Sequence, residues 1–387
     1  MRALLEALGV LTILVVFWDA FETLILPRRV SRRLRLARIY FRSTWGIWGR
    51  MSRMFRRPER HENFLSFYGP LSLLFLVAVW ATGMIFGFAL LQLGAGRARP
   101  PGSGSFATLL YMSGSTFFTL GLGDVTPANS FARMVTVVES GAGFAFLALV
   151  IGYLPLLYQG FSRREVRISM LDERAGSPPS AGELLGRRGT SYSETGPQFL
   201  RDWELWAAEL LESHLSYPVL GYFRSQHDNQ SWVAALTVIL DGCSLVLTGI
   251  ESIPGGEARL TFAMARHAAV DLASTFGTPP VPPSPDRLPR ADLERLREIL
   301  RERGLVPASG DEADSVLDDL RASYEPYVNA LSRQLRMPLP SWLPPEGASD
   351  NWEVTAWEVL SGRQARRDFD PPTPRRPTSG SDQPPNR

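Results

Sequence analysis

Apolar residues are concentrated in the first 160 positions of the chain, in long runs separated by short polar segments. Residues 63–96 and 140–162 contain no charged side chain, and each run is long enough to cross a bilayer core of roughly 30 Å. Another apolar run, within residues 1–27, ends with Asp19 and Glu22, which share one helix face. These acids either pair with the arginines that follow or face a protein partner. The pattern predicts three membrane-spanning helices.

A shorter apolar run, residues 106–118, lies between the second and third predicted spans. It is too short to cross a bilayer, so it predicts a half-helix that enters the membrane and returns on the same side. Residues 63–162 are therefore expected to form one unit. That unit contains an outer helix, the re-entrant helix, a loop at membrane depth and an inner helix.

The segment between the first two spans is strongly basic. Residues 28–60 contain twelve arginines and one acid, Glu59, with aromatic residues interleaved. Basic connections beside spans stay in the cytoplasm, and this mixture favours a helix on anionic lipid over a nucleic-acid site. We predict a basic cytoplasmic or interfacial linker at 28–62 in a cell inner or plasma membrane. The N-terminus is then outside and the chain beyond residue 162 is cytoplasmic.

The second half of the chain has helical periodicity and many charges. Its predicted helices cover residues 197–215, 229–251, 257–276, 289–303 and 311–335. This pattern predicts a linker at 163–196, a helical cytoplasmic domain at 197–361 and a disordered tail at 362–387. The apolar stretch 232–250 contains one charge, Asp241, at its centre. Either it is a fourth span or it is a buried helix of the domain, and the cost of a mid-membrane Asp favours the second.

Composition narrows the classes of function. All 41 basic residues are arginine, which excludes sites that require a lysine, such as the P-loop or a Schiff base with pyridoxal phosphate. One cysteine, Cys243, excludes an internal disulfide and multi-thiolate metal sites, and the four histidines show no ligand spacing. We predict no cofactor and no nucleic-acid partner, and membrane lipids as a partner. An enzyme is not predicted.

Residues 116–127, TFFTLGLGDVTP, connect the re-entrant helix to the third span. Non-helical backbone at membrane depth is tolerated only where it is buried in protein or lines a watery path. Gly121 and Gly123 permit positive φ, and alternating left- and right-handed residues would turn successive carbonyls toward one axis. Four such segments would form stacked rings of oxygens that replace the water shell of a monovalent cation.

The TLGLGD segment, after a half-helix and between two spans, resembles the signature of the tetrameric potassium-channel family in its bacterial type with one pore loop per subunit. The resemblance covers roughly residues 64–162. It implies an all-α membrane protein with three transmembrane helices, a re-entrant pore helix, a selectivity filter and a helical cytoplasmic domain. It further implies a homotetramer that conducts K⁺ passively. The implied ion-binding residues are Thr119, Leu120, Gly121, Leu122 and Gly123, with Asp124 at the outer mouth.

The resemblance also suggests supporting residues. Gly143 lies where the family places a hinge glycine of the inner helix, and Gly141 is a second hinge candidate. Glu139, an isolated acid in the third span, either braces the pore helix by bonding Ser115 or Thr116 or lies at the outer interface. The inner helix, the cytoplasmic domain or both would gate the pore.

Two departures from the family signature keep other functions open. Leu122 replaces the commoner aromatic residue, and Phe118 occupies a position that usually holds threonine. A non-selective monovalent cation channel is therefore one alternative. The other is a membrane-anchored sensor or enzyme that uses the helical cytoplasmic domain.

Overall fold

The structure is a computed structural model that describes residues 2–26, 36–95, 98–99, 105–187, 189, 192–226, 229–251 and 253–344. The predicted tail at 362–387 and the first part of the predicted basic linker lie outside the described residues. The predicted all-α membrane protein is confirmed. The helices are α1 (Arg2–Leu24), α2 (Leu36–Ser52), α3 (Pro58–Ser66), α4 (Tyr68–Ala95), α5 (Phe106–Phe117), α6 (Ser130–Ala175), α7 (Ala181–Gly186), α8 (Tyr192–Ser216), α9 (Trp232–Gly249), α10 (Gly256–Thr275), α11 (Arg290–Glu302) and α12 (Asp311–Leu335). Two short strands, β1 (Ala98–Arg99) and β2 (Thr126–Pro127), pair antiparallel.

Four helical segments are long and apolar enough to cross a membrane: Arg2–Leu24, Arg60–Ala95, Ser130–Ala175 and Trp232–Gly249. The last of these, α9, differs from the others because 83% of its apolar window is buried inside the protein, against 17% for α6. Asp241, at the centre of α9, forms an ion pair with Arg287 (Nη2 to Oδ2, 2.7 Å). These contacts fit a core helix, and they agree with the interpretation that the sequence favoured.

Helix α1 packs against α4 along a seam of glycines. A Cβ atom on Gly9 would lie 2.7 Å from the carbonyl oxygen of Gly87, and one on Gly87 would lie 2.7 Å from Ile13 Cγ1. Gly83, four residues before Gly87, faces Val16 in the same way. Small residues at this spacing let two membrane helices approach closely and gain dispersion contacts along their length. Helix α1 is therefore fixed to the outer helix α4.

Asp19 was expected either to pair with the arginines that follow or to face a protein partner, and its contacts in the structure agree with the second. Its carboxylate is 4% exposed and accepts hydrogen bonds from the indole Nε1 of Trp80 (2.9 Å) and the backbone N of Ala37 (3.1 Å). The first contact lies on α4 and the second at the start of α2. The carboxylate of Asp19 therefore joins its own helix α1 to α4 and α2. Its negative charge is also stabilised by its position at the N-terminus of α2.

The C-terminal domain comprises the end of α6 and α7–α12, residues 163–344. Its core is built around α9, with large buried side chains from α8 and from the segment after α12, including Trp203, Trp206, Trp232 and Trp342. The predicted linker at 163–196 is wrong for most of its length. Helix α6 continues without a break to Ala175, and α7 packs its apolar residues into the domain core. The polar, Gly- and Pro-containing composition of this segment concealed a short buried helix.

The basic linker also differs from the prediction. One face of α2 is packed against protein: Trp45 is 5% exposed and its ring meets Tyr68 edge to face and Tyr222 at a tilted angle. Its indole Nε1 donates a hydrogen bond to the carbonyl of Gln334 at the end of α12 (2.7 Å). The aromatic residues of this helix therefore include anchors for the C-terminal domain, and lipid is not their only neighbour.

Candidate functional site

The loop after α5 is held at both ends. Ser105 caps α5 by accepting a hydrogen bond from the backbone N of Thr108 (3.2 Å). After the loop, β2 pairs with β1, and the Asn129 side chain caps α6 at Ala132 N (2.8 Å) and donates to Ala95 O of α4 (2.7 Å). The loop is thus suspended between the outer and inner helices, as the sequence predicted for residues 106–127.

The backbone of the loop alternates in handedness. Thr119, Gly121 and Gly123 have φ angles of 58°, 59° and 79°, and the intervening Leu120 and Leu122 have negative φ. This is the geometry that the two glycines were expected to permit, and it directs successive carbonyls to one side. Thr119 adopts a left-handed conformation without the freedom of glycine, which stores about 1–2 kcal/mol of strain.

Ser115 supports the loop from the last turn of the pore helix. Its carbonyl accepts hydrogen bonds from the backbone N of Leu120 (2.8 Å) and of Gly121 (3.3 Å), and its Oγ lies 3.5 Å from Leu122 N. The carbonyl of Thr116 accepts from Thr119 N (3.0 Å). Both predicted support residues therefore contact the loop, and they do so chiefly through their main chain.

Glu139 takes a different partner from the one expected. It is fully buried and accepts a hydrogen bond at Oε1 from the hydroxyl of Ser113, which also lies 2.8 Å from the carbonyl of Ile85. Ser115 and Thr116 do not bond it within the described chain. Glu139 Oε2 is buried and has no hydrogen-bond partner among the residues that the structure describes. The acid therefore joins α6, α5 and α4 behind the loop, which agrees better with a bracing role than with an exposed interfacial carboxylate.

Gly143 is a contact point between the pore helix and the inner helix. A Cβ atom there would collide with the carbonyl oxygen and Cα of Phe117, whereas one on Gly141 would meet nothing within 4 Å. Helix α6 is continuous through both positions. One backbone hydrogen bond of α6 is missing instead at Pro155, which lies inside the helix and cannot donate to the carbonyl of Ile151. The sequence prediction of a hinge glycine overlooked this proline.

A second residue missed from the sequence supports the outer mouth. The Tyr111 hydroxyl of α5 lies near the carboxylate of Asp124 and interacts with it electrostatically. Asp124 follows the loop, so this contact links the outer end of the loop to the outer half of the pore helix. Because the two residues are thirteen positions apart and in different elements, no local pattern signals the pair.

The side chains of the loop are uncovered in one chain. Phe118, Leu120 and Leu122 are 59%, 65% and 61% exposed, although the elements around them are well packed. Exposed large apolar side chains that lie together mark a contact surface. One chain also offers only one strand of carbonyl oxygens, so a cage for a cation needs further copies.

The inner helix is joined to the C-terminal domain through Arg164. This side chain is 2% exposed, and its guanidinium donates to the carbonyls of Leu220 and Phe223, each at 2.9 Å. It also donates to Nε2 of His214 (3.2 Å). Burial first, and then the Arg164 guanidinium, lower the pKa of His214 well below its usual range. The imidazole is therefore a neutral acceptor in the folded protein.

The described residues contain no group of three or more His, Cys, Asp or Glu that could hold a metal ion. The polar cluster of the C-terminal domain instead consists of charges that satisfy one another. Arg287 bonds both carboxylate oxygens of Asp241 (3.2 and 2.7 Å) and Glu325 Oε1 (2.9 Å), and Tyr324 OH bonds Asp241 Oδ1 (2.5 Å). This arrangement is structural, because every acid already has a partner within the protein.

Comparison with known proteins agrees with the geometry of the loop. The family model Ion_trans_2, described as an ion channel, matches residues 74–156, which contain α5, the loop and most of the inner helix. The chain is also 24% identical over 254 residues to the uncharacterized membrane protein YdjJ of Bacillus subtilis (strain 168), covering 62% of this chain and 70% of that protein. No solved structure matches the chain significantly. The family match indicates an ion channel and points to a transport function for the matched residues.

Proposed function

We propose that the protein is a potassium-selective channel that conducts K⁺ passively through a filter built from residues 119–123 of four identical chains. The observation that carries the proposal is the positive φ at every second residue of the loop, Thr119, Gly121 and Gly123. A backbone that alternates in handedness in this way can turn successive main-chain carbonyls toward one axis. Rings of such oxygens replace the hydration shell of a monovalent cation. The filter is incomplete in one chain, and the exposed Leu120 and Leu122 supply the surface on which a neighbouring copy would pack.

In this mechanism the main chain binds the ion and the side chains hold the main chain. The Ser115 carbonyl holds Leu120 and Gly121, and Tyr111 holds Asp124 at the outer mouth. Helix α5 ends at Phe117 with its carbonyls directed toward the membrane centre. The negative end of its dipole stabilises a cation below the filter. Conduction needs no cofactor in this account, since binding and release of successive ions suffice.

A non-selective cation channel is the second candidate, and a specific observation favours it. Leu122 cannot offer the hydroxyl with which an aromatic residue at this position braces the filter, and Phe118 places no hydroxyl below Thr119. The carbonyl ligands survive both changes because they belong to the main chain. The hydrogen bonds that the Ser115 carbonyl accepts and the contact of Tyr111 with Asp124 brace the loop from the pore helix, so K⁺ selectivity is the preferred proposal.

The proposal includes an orientation and a gate. By the positive-inside rule, the basic segment between α1 and α3 lies in the cytoplasm, so the N-terminus is outside and the C-terminal domain is cytoplasmic. The domain would act on the pore through Arg164, which holds the inner helix nine residues after Pro155. A shift of the domain then bends or straightens α6 where a backbone hydrogen bond is missing.

Purified protein reconstituted in liposomes tests the function directly. Vesicles loaded with K⁺ and diluted into a K⁺-poor medium should release K⁺ when a protonophore balances the charge, and protein-free vesicles should not. Chemical cross-linking in the same vesicles should give a species of four chains. The absence of flux from vesicles that contain correctly assembled protein would refute the channel, and a dimer would refute the fourfold filter.

A further inference from the structure

The free face of α2 combines positive charge with exposed apolar surface. The face that packs on protein contains Ala37, Trp45, Gly49 and Ser52, all buried. At helical spacing, the opposite side exposes four large apolar side chains by 42% to 54% each: Leu36, Ile39, Ile47 and Met51. An exposed apolar stripe on a helix whose other side is already packed requires a partner that covers it.

Arginines lie on one side of this stripe: at helical spacing Arg50 borders it, and Arg42 lies between it and the packed face. Arg38, Arg42, Arg50 and Arg53 are exposed. None of the four forms an ion pair with a carboxylate among the described residues. A surface of this kind needs surroundings that bind the guanidinium groups and also cover the apolar stripe, and neither bulk water nor a purely polar partner does both. The boundary between phosphate headgroups and acyl chains does both.

The position of α2 brings this face to the membrane surface. Its first turn is tied to the end of α1 by the bond from Ala37 N to Asp19 (3.1 Å). The Tyr40 hydroxyl donates to the carbonyl of Ser72 in the first turns of α4 (3.0 Å). Since α1 and α4 are both candidate membrane spans, α2 lies where one leaves the bilayer and the other enters it.

We propose that the free face of α2 binds the anionic headgroups of phospholipids in the adjacent leaflet, and that the C-terminal domain senses this binding through the opposite face of the same helix. The arginines bind lipid phosphate, and the apolar stripe is buried at the level of the first acyl carbons. The partner is a lipid surface of negative charge, because zwitterionic lipid offers the arginines no matching net charge.

The opposite face of α2 gives the route to the domain. The Trp45 indole donates to Gln334 O (2.7 Å), and Arg336 Nη1 donates to Ser52 Oγ (3.3 Å). Arg336 lies directly over Gly49, where an added Cβ would come 2.7 Å from its guanidinium. A movement of α2 at the lipid surface is therefore transmitted to the end of α12. Its effect on conduction rests on the proposed channel function, whereas the binding of lipid does not.

Lipid binding is tested by counting retained phospholipids on the detergent-solubilised full-length protein by native mass spectrometry. The wild type should retain phosphatidylglycerol in preference to phosphatidylcholine. The double variant R42Q/R50Q should weaken phosphatidylglycerol binding by about 20-fold, since each arginine near an anionic surface contributes roughly fivefold. The control R259Q/R301Q removes two exposed arginines of the C-terminal domain and should bind as the wild type does. Equal retention by both double variants, or equal retention of both lipids by the wild type, would overturn the site.

The route to the domain is tested by K⁺ flux in vesicles of increasing phosphatidylglycerol content. Flux through the wild type and the control should depend on this content, and flux through R42Q/R50Q should not. The Trp45→Phe variant removes the indole donor and keeps the aromatic packing. It should retain lipid as the wild type does while its flux loses most of the dependence. An unchanged dependence would overturn the coupling. Absence of flux at every composition would refute the channel function. The counts of retained lipid would still show whether the free face of α2 binds anionic lipid.

Discussion

The membrane region, residues 2–162, and the C-terminal domain use polar side chains in different ways. In the membrane region they occur singly at helix crossings, as with Gln92, which is 2% exposed and donates to Ala132 O (3.2 Å) and Thr136 Oγ1 (3.0 Å). In the C-terminal domain they are clustered, and Arg287 bonds two acids at once.

The difference follows from the surroundings of each region. Helices in lipid gain little from burying apolar surface, so close glycine contacts and single hydrogen bonds determine their packing. In a water-exposed domain the core is apolar, and a charge buried in it is tolerated only when a partner and further bonds compensate for lost hydration. The same kind of substitution should therefore impair conduction in one region and stability in the other.

The largest effect is expected from Gly121→Ala. Its φ is 59°, and a Cβ atom would meet nothing within 4 Å, so the penalty is backbone strain alone. That strain is about 1–2 kcal/mol per strand. It is repeated in four copies of the filter, and K⁺ flux should fall below detection while the protein still assembles.

The matched control is Gly277→Ala, at a φ of 67° with equally open surroundings in the C-terminal domain. It should lower the unfolding temperature slightly and leave K⁺ flux in place. If Gly121→Ala conducted as well as Gly277→Ala, the left-handed backbone of the loop would have no role in conduction.

The next effect distinguishes packing from bending at the inner helix. Gly143→Ala should prevent the pore helix from seating on α6, because the new methyl group collides with the backbone of Phe117. Gly141→Ala should be tolerated and should stabilise the helix by about 0.5–1 kcal/mol. K⁺ flux and the yield of assembled tetramer should be measured for both variants. Similar losses for the two variants would instead support a flexible hinge.

In the C-terminal domain, Arg287→Met leaves Asp241 buried and without its cation. We expect about 3–5 kcal/mol of destabilisation, seen as a lower thermal unfolding midpoint of the full-length protein in detergent. Arg290→Met is the control, because the Arg290 side chain is 75% exposed and its ion pairs contribute at most about 1 kcal/mol. A similar change in both variants would show that the buried network does not stabilise the domain.

The smallest effect is a pH dependence that arises at His214. Its folded-state pKa is depressed, so below about pH 6.5 the unfolded chain takes up a proton that the buried imidazole does not. Stability is present in full above that pH and is lost as the pH falls toward the folded-state pKa. The unfolding midpoint should therefore decline between pH 7 and 5, and His214→Gln should flatten the decline. The same substitution at the exposed His267 serves as the control, and an equal response of the two variants would contradict this origin.

Sequence patterns predicted the elements of both regions and few of the contacts between them. Runs of apolar residues predict the spans and the half-helix, because the number of consecutive apolar residues decides whether a segment can cross a bilayer, and that number is read directly from the sequence. Gly121 and Gly123 likewise predicted the positive φ angles of the loop, because the preference of glycine for this conformation depends on the residue itself. The domain helices α8–α12 also follow from periodicity.

Contacts between distant residues could not be predicted in this way. Glu139 was expected either to bond Ser115 or Thr116 of the pore helix or to lie at the outer interface, and its partner is Ser113 of the pore helix. The crossing of α5 and α6 decides which turn Glu139 meets. Helix α7 was hidden in a polar segment, since only the tertiary structure buries it. The roles of Thr119–Gly123 as ion ligands stay a prediction, because they depend on copies of the chain that meet at an axis.

Current recording from the purified protein in a planar bilayer, with K⁺ on one side and Na⁺ on the other, tests the central claim most directly. If residues 119–123 of four chains form rings of carbonyls spaced for K⁺, the reversal potential should move far toward the K⁺ equilibrium potential and return to zero when both sides contain K⁺. A reversal potential that stays near zero with the two cations opposed would contradict a K⁺-selective filter.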